Sequence, residues 1–344
     1  MEINEFDQKV VIKEFSPQQD TKSLESETVP STNLAGNNAR TSMNSNQQSR
    51  SKNEKSRLNN QSKEQVKGKG TGKEKGKGKA TKPESETITQ EPVIRHEPEL
   101  EGQEGFMGRR PINDPFVPGE KTLFEVSYMG MVAGNMLLEI KPFIEVNSRK
   151  HYHFYGKIWT RPFFSRIYMV EDSFETMLDF ETLLPSLYKL QVKETKQVKE
   201  ARFFIDWNAL EAFYWEKKAT EEGESEKKQQ WKIEPFSQDV FSSLFYLRVF
   251  PWKLGQKFGF RVTSDEKNMI FWGEIIKEDS LDLMESGTSI KTLVLKPQVE
   301  LPGKMNPIGD FLIWITDDPY HTIVKIQAKL AFGTLKAQAV SVTR

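Results

Sequence analysis

Histidines and clustered carboxylates are the residues of this chain whose types and spacing most nearly match a metal-binding or catalytic site. His151 and His153 lie two residues apart and share one face of a predicted strand, an arrangement that can begin a metal site. A third ligand would have to come from His96 or His321, the two remaining histidines, which fall in a predicted tail and a predicted turn. We therefore expect no metal ion.

The carboxylates offer two alternatives. Asp317-Asp318-Pro319 places two acids side by side, and such pairs can move each other's pKa apart, but Asp followed by Pro between two predicted strands is more simply a turn. Charged strand residues usually face water, and nothing in the spacing of the other acids fixes the separation needed for glycoside cleavage. The acids considered for such a pair are Glu139, Glu171, Asp172, Glu175 and Asp179.

No other catalytic signature is present. The sequence has no serine nucleophile elbow, phosphate loop or zinc-protease helix. It also contains no cysteine, which excludes disulfides, thiolate metal sites, iron–sulfur clusters, a cysteine nucleophile and a lipidated cysteine. We therefore predict a protein that is not an enzyme and needs no cofactor.

Aromatic residues show where this chain can fold. Between Phe15 and Phe106 there is no Phe, Tyr or Trp, and all seven Trp come later. Aromatic side chains supply much of the surface that a core buries. We therefore predict a disordered, low-complexity tail over residues 1–105 and a single antiparallel β domain over residues 106–344.

The tail carries two further hypotheses. Its Lys/Gly-rich run, residues 67–82, could hold an anionic polymer by counterion release, and the alternative is a soluble spacer. The lysines available for such contacts are Lys67, Lys69, Lys73, Lys75, Lys77 and Lys79. The apolar cluster Val10-Val11-Ile12-Lys13-Glu14-Phe15 is either a short docking motif or a chance patch.

From Pro118 onward, short runs that alternate apolar and polar residues and are rich in aromatic and β-branched types predict half-buried strands. Many short strands without alternating helices are typical of an all-β domain, here a meandering antiparallel sheet that curls or closes into a β-barrel-like shape. The predicted strands are 121–128, 132–140, 151–158, 168–178, 186–192, 200–206, 212–215, 230–233, 256–262, 268–276, 290–298, 309–315, 322–330 and 334–342.

One clear helix is expected among the strands, over residues 237–248. Ser237 suits its N-cap, Asp239 its positive first turn, and Arg248 its negative end. Residues 161–165 are a weaker helical possibility. An apolar helix among strands usually plugs a barrel or covers one face of a sheet.

The number of aromatic side chains exceeds what a small core needs, and a curved sheet lined by aromatics can hold an acyl chain or stack a sugar. Ordinary packing inside a barrel is the alternative. For Gln238, Asp239 and Arg248, helix capping and a salt link to a neighbouring strand are the simpler explanation. The candidate ligand-binding residues are Trp159, Tyr168, Gln238, Asp239, Tyr246, Arg248 and Trp314.

Three blocks of sequence carry a resemblance to a known family. In order and spacing they resemble the bacterial domain-of-unknown-function family 3108, over about residues 116–343. The resemblance implies a β-rich domain, usually found in proteins with an export signal and placed in the Gram-negative envelope, and it implies no known reaction. The first block is Pro118-Gly119-Glu120, Tyr128-Met129-Gly130 and Ala133-Gly134; the second is Gln238-Asp239, Ser242-Ser243 and Tyr246-Leu247-Arg248; the third is Ile313-Trp314-Ile315-Thr316-Asp317-Asp318, Val324-Lys325-Ile326 and Phe332-Gly333.

Charge and hydropathy limit where the protein can be located and what it can bind. The formal net charge is +0, and no stretch approaches the ~20 apolar residues of a spanning helix. The acidic start lacks the basic and apolar regions of a secretory signal, which points to the cytoplasm, whereas the resemblance points to the envelope; a misassigned start codon would reconcile them. We expect a binding or scaffold protein for a lipid, glycan or envelope protein. The alternatives are a carboxylate-dependent enzyme acting on envelope glycans and a cytoplasmic protein that binds anionic polymer.

Overall fold

The computed structural model describes residues 10–15, 98–283, 285, 287–301, 304–307, 310–330 and 333–344. The Lys/Gly-rich run, with the six lysines considered for polymer contacts, lies outside the described residues. The helices are α1 Pro98–Glu101, α2 Pro162–Ser165 and α3 Val240–Tyr246, which continues into a 3-10 turn, Leu247–Val249. The strands are β1 Ile12–Glu14, β2 Phe106–Met107, β3 Arg110–Pro111, β4 Lys121–Tyr128, β5 Met131–Val146, β6 Arg149–Thr160, β7 Glu171–Asp179, β8 Pro185–Glu194, β9 Gln197–Asp206, β10 Glu211–Thr220, β11 Gly223–Lys232, β12 Lys257–Ser264, β13 Lys267–Asp282, β14 Ser289–Leu301, β15 Lys304–Pro307, β16 Asp310–Thr316, β17 Ile323–Leu330 and β18 Gly333–Thr343.

The all-β prediction is confirmed. Nearly all strands join one antiparallel sheet in the order β11-β10-β9-β8-β7-β6-β5-β4-β18-β17-β16-β14-β13-β12, and β1 and β15 pair with β5 and β14 beside this path. Most neighbours in the sheet are also neighbours in sequence, so the sheet is a meander. Every predicted strand is found, although several extend beyond their predicted ends, β11 by seven residues at its start.

The sheet curls until its two end strands, β11 and β12, approach each other. Trp231 Nε1 donates to Thr263 Oγ1 at 2.8 Å, and Asn268 Nδ2 donates to the Lys232 carbonyl at 3.0 Å. The backbone of Gln238 completes the closure by forming a parallel bridge to Val262 of β12. β11 is mostly exposed and carries two Glu and three Lys, as charged edge strands do.

Helix α3 fills the concave face of the curled sheet. Phe245 stacks on Phe154 with ring centroids 4.2 Å apart, and Phe241 stacks on Phe174 at 4.3 Å. Because strand residues alternate between faces, Phe154 points inward to the helix while Trp159, five positions later, points outward. The helix therefore plugs the interior, as the sequence suggested.

The helix begins later than predicted, because Asp239 rather than Ser237 is its N-cap. The Asp239 carboxylate accepts from the backbone N–H groups of Phe241 and Ser242 at 2.7 and 2.8 Å. Ser242 Oγ in turn accepts from the Asp239 N–H at 2.9 Å, which completes a reciprocal capping box. The Ser237 hydroxyl instead donates to the Glu234 carbonyl.

Ordered structure also begins before residue 106, where the sequence-based boundary was set. Glu101 of α1 is 1% exposed and pairs with Arg109. β1 extends the sheet beside β5, with Ile12 opposite Val146, so the apolar cluster at residues 10–15 is a docking segment. These elements are two to four residues long, so they carry too little apolar periodicity to be recognised in sequence.

Helices in the described part of the chain are short. The longest has seven residues, and none is long and apolar enough to cross a membrane.

Candidate functional site

Gln238 and Asp239 lie fully buried where the chain enters α3. Gln238 Nε2 donates to the Leu183 carbonyl at 2.9 Å, and Thr176 Oγ1 donates to Asp239 Oδ2 at 3.0 Å. Burial raises the pKa of Asp239 to about 6, although the hydrogen bonds from Ser242, Thr176 and Phe241 oppose the rise. Because both side chains are 0% exposed, we assign them a structural role in capping and seating the helix.

Tyr246 belongs to a second buried polar group at the far end of α3. Its hydroxyl donates to Glu101 Oε1 at 2.9 Å and accepts from Arg109 at 2.6 Å. Arg109 also donates to the Thr182 carbonyl, which ties α1 and the β7–β8 connection to the helix. Burial raises the pKa of Tyr246 well above its ordinary value, so its proton stays in this network.

Arg248 forms a third buried group with Glu120, just before β4. Its guanidinium meets the Glu120 carboxylate through two contacts, at 2.8 and 3.2 Å, and also donates to the carbonyls of Pro115 and Tyr320. Arg344 adds a second cation, 3.0 Å from Glu120. A space of only about 10 Å³ adjoins this group, which is too small for an organic ligand.

The remaining predicted residues lie outside these three buried groups. Trp314 is buried under Lys325, whose ammonium lies 3.9 Å from the ring centroid, and donates to Asp279 at 3.0 Å. Tyr168 is 38% exposed and donates to Glu194 at 2.8 Å. Trp159 differs from both Trp314 and Tyr168 in that it lines an open groove. The structure therefore does not bring the seven predicted residues together into one site.

The Trp159 groove has a volume of about 310 Å³. Its floor is formed by apolar groups of β5 and β6, and its wall by the segment that joins β6 to β7. Lys157 lies at the rim and pairs with Glu171 at 2.9 Å, and Lys193 approaches the same carboxylate at 3.5 Å. The lining apolar residues are Leu137, Tyr155, Trp159, Met169 and Val170.

Exposed apolar residues surround this end of the sheet. Phe163 and Ile167 are 70% and 72% exposed, and Met129 and Met131 in the neighbouring β4–β5 turn are 65% and 58% exposed. The turn and the β6–β7 segment are adjacent, because Arg161 N–H donates to the Ala133 carbonyl at 2.9 Å. The seven predicted ligand-binding residues do not include these four, because the sequence does not reveal that the two segments lie side by side.

The histidines do not converge on a metal position. His151 Nε2 lies 2.7 Å from Ser186 Oγ, whereas His153 Nε2 lies 3.4 Å from Glu175 Oε2. The described residues contain no group of three or more potential ligands. Asp318 accepts from the backbone N–H groups of Tyr320 and His321, as expected for a turn.

Neighbouring cations and hydrogen-bond donors lower the pKa of three of the carboxylates considered for glycoside cleavage. His153 and Lys141 lower the pKa of Glu175 to about 2, and Lys157 lowers the pKa of Glu171. Burial alone would raise the pKa of Asp179, but Arg149 and Thr182 hold it below its ordinary value. A general acid needs a raised pKa, which among these acids is found at Asp172, and alternation places Asp172 on the opposite face from Glu171.

A comparison with models of protein families shows which family the chain belongs to. A family model described as a protein of unknown function, DUF3108, matches residues 123–340. The chain belongs to the DUF3108 family. The three sequence blocks that carried the resemblance lie within this domain or at its margin.

Two solved structures are similar to the DUF3108 domain of this chain. A β-barrel-like protein with a domain of unknown function, DUF1849, from Brucella abortus has a TM-score of 0.42 and 10% identity, with 66% of this chain and 98% of that chain covered. A protein with a YmcC-like fold from Bacteroides fragilis has a TM-score of 0.29 and 7% identity, with 67% and 98% covered. No curated protein matches the chain significantly.

The buried networks bring residues of the three DUF3108 blocks of this chain together. Glu120 comes from the first block, Arg248 from the second, and Asp318 of the third shapes the turn whose Tyr320 carbonyl accepts from Arg248. The blocks thus meet at one interior point of the DUF3108 domain. These contacts give the residue types of the blocks a role in holding the fold together.

Proposed function

We propose that this DUF3108 protein is a non-enzymatic binding protein that holds the acyl chain of an anionic amphiphile in the Trp159 groove. The groove is the open, aromatic-lined apolar space next to the exposed apolar end of the sheet. That single juxtaposition carries the proposal, because soluble proteins rarely leave contiguous apolar surface uncovered unless it binds something.

We place the ligand in the outer groove and not against the concave face of the sheet, because α3 occupies that face. α3 fills the concave face through the Phe245–Phe154 and Phe241–Phe174 stacks. The aromatic load inside the sheet is therefore used in packing. An added acyl chain would have to displace the helix, whereas the outer groove is already open.

Charge around the groove favours an anionic headgroup. Lys157 and Lys193 both approach the carboxylate of Glu171, so two ammonium groups meet one acid at the rim. The adjoining segment, residues 161–170, contains two arginines and no acid. Apolar burial combined with attraction to negative charge is the usual basis of lipid recognition at a protein surface.

Binding of cis-parinaric acid, which has one acyl chain and one carboxylate and fluoresces in apolar surroundings, tests this function. We expect saturable fluorescence with the full chain. Trp159→Ala should weaken binding by about tenfold, or about 1.4 kcal/mol, because the indole forms the groove floor. Arg166→Glu should weaken binding in a salt-dependent way, because it reverses a charge beside the groove.

Leu254→Ser is the matched control. Leu254 is 56% exposed at the other end of the sheet, so its loss should leave the affinity unchanged. No saturable signal, or equal affinities in Trp159→Ala and Leu254→Ser, would contradict the proposal. Binding to anionic vesicles without binding of monomeric parinaric acid would also contradict a single-chain groove.

The proposal includes a location in the bacterial envelope, as the family resemblance implies. Fractionation of the tagged native gene product measures this directly. We expect the protein outside the cytoplasmic fraction, and exclusive recovery with a cytoplasmic marker would remove this part of the proposal while leaving the groove intact.

A further inference from the structure

A larger, more polar cleft opens at the opposite end of the sheet. Its volume is about 550 Å³, against about 310 Å³ for the Trp159 groove. It lies where the β5–β6 turn, the β7–β8 connection and the β9–β10 turn meet. The volume falls within the range of about 300–1,000 Å³ that is usual for small-molecule sites.

Trp207 forms one wall of this cleft. Its indole Nε1 donates to the Pro185 carbonyl at 2.9 Å, and its ring packs against the small apolar cluster that contains Ile205 and Ala212. These contacts fix the plane of the ring. A fixed indole that lines an open cleft is a platform on which the flat C–H face of a sugar ring can stack.

Polar side chains on the facing strands are held in place by one another. Arg149 Nε donates to Asp179 Oδ2 at 2.5 Å, and Thr182 Oγ1 donates to Asp179 Oδ1 at 2.9 Å. The Arg149 guanidinium is nevertheless 59% exposed, so it also faces the solvent of the cleft. Such mutually fixed groups present hydrogen-bond donors and acceptors without loss of further side-chain entropy.

Ser186 and His151 form a second fixed pair in the cleft. His151 Nδ1 lies 2.8 Å from the Arg149 carbonyl, which can only accept, so Nδ1 carries the proton and Nε2 accepts from Ser186 Oγ at 2.7 Å. Ser186 is the extra residue of a β-bulge, because Met177 pairs with Leu187 and Leu178 with Pro185. Bulges commonly re-aim a side chain next to a functional site.

The charges of the cleft disfavour an anionic ligand. Arg149 and Asp179 neutralise each other, and burial lowers the pKa of His151, which keeps its ring neutral near pH 7. Asp206 adds a carboxylate, whose Oδ1 accepts from the Asn208 N–H at 3.0 Å. The lining therefore carries about one net negative charge, which repels anions, and the described residues offer no metal cluster to offset it.

From this geometry we propose that the cleft binds a short neutral glycan, with one sugar ring stacked on Trp207 and hydroxyl groups bonded to Arg149 and Asn208, while the buried Asp179 holds Arg149 in place. Hydroxyl groups both donate and accept, which matches a lining of arginine, carboxylate and amide side chains. This site is separate from the Trp159 groove, so it goes beyond the acyl-chain function.

Saturation-transfer NMR of the full chain with maltotriose, cellotriose and chitotriose, each alone at millimolar concentration, tests this site. We expect transfer to ring C–H protons of at least one trisaccharide. Trp207→Ala should weaken that binding by about tenfold, and Asn208→Ala, at an exposed turn position that should fold normally, by about threefold. Trp159→Ala should leave it unchanged.

Three results would overturn the glycan site. The first is the absence of transfer to all three neutral trisaccharides. The second is stronger binding of tri-galacturonate, the anionic comparison, than of any neutral sugar. The third is an equal loss of binding in Trp207→Ala and Trp159→Ala. Since Trp207→Ala should leave parinaric acid binding intact, failure of this site and failure of the acyl-chain groove give different results.

Discussion

Arg248 and Glu120 form a two-contact ion pair, 2.8 Å at its shortest, inside the curled sheet, with their side chains 4% and 3% exposed. The pair joins the 3-10 turn after α3 to the start of β4, more than a hundred residues earlier in the chain. It therefore ties the plugging helix to the middle of the sheet.

Glu120→Ala should destabilise the fold strongly. Removing one partner leaves the Arg248 guanidinium buried with an incomplete set of acceptors, which typically costs about 3–5 kcal/mol. Urea unfolding measures the loss. Lys217→Ala is the control, because the Lys217–Glu224 pair is more than half exposed and should contribute no more than about 1 kcal/mol. Similar losses in both variants would disprove the assignment.

Asp239 should make the folded state less stable as the pH rises. Its pKa is raised from 3.8 to about 6, so the folded chain holds a proton that the unfolded chain releases. Stability should therefore fall between these two pH values. In Asp239→Asn, which can retain the helix cap, this contribution should vanish, and urea unfolding of both proteins from pH 4 to pH 7 measures the difference. Parallel pH curves would show that the carboxyl is ionised throughout.

Phe245→Ala should remove the central contact between α3 and the sheet. Phe245 is 1% exposed and stacks on Phe154, so its truncation should cost about 3–5 kcal/mol. Val240→Ala, on the same helix at 42% exposure, should change stability by less than about 0.5 kcal/mol. Thermal unfolding of the two variants makes the comparison. A small effect at Phe245 would mean that the helix does not plug the sheet.

The docking of β1 can be tested by cross-linking, because the chain has no cysteine of its own. Lys13 lies opposite Glu145 in the β1–β5 ladder, at a separation that a disulfide can bridge. Lys13→Cys with Glu145→Cys should oxidise to an intramolecular disulfide, visible as a mobility shift on non-reducing gels. Lys13→Cys with Lys329→Cys, on β17, should not. Equal cross-linking of both pairs would show that the segment does not settle on β5.

The sequence predicted the strands well because their alternation is strong. Lys121–Tyr128 was predicted to the residue, whereas only the last few residues of β11, Gly223–Lys232, were recognised. β11 consists mainly of Glu, Lys and Gln, so its sequence shows no apolar alternation. It is held as a strand by its pairing with β10. Short elements such as β1 depend wholly on tertiary contacts, and local propensity does not reveal them.

The candidate sites were harder to predict because residue type does not reveal which face of a strand is open. Phe154 and Trp159 are both aromatic residues of β6, yet one is packed under α3 and the other lines a groove. The sequence favours helix capping and a salt link for Gln238, Asp239 and Arg248, and the structure places Asp239 at the N-cap of α3 and pairs Arg248 with Glu120. The Trp207 cleft is assembled from three distant turns, so no single motif marks it.

The charged face of β11 has a bearing on how the protein behaves at high concentration. Edge-to-edge aggregation needs a flat, uncharged edge strand with which a strand of the next molecule can pair. β11 instead carries exposed glutamates and lysines. The protein should therefore stay monomeric at high concentration. If it does self-associate, contact should begin at the exposed apolar residues around Phe163 and Ile167.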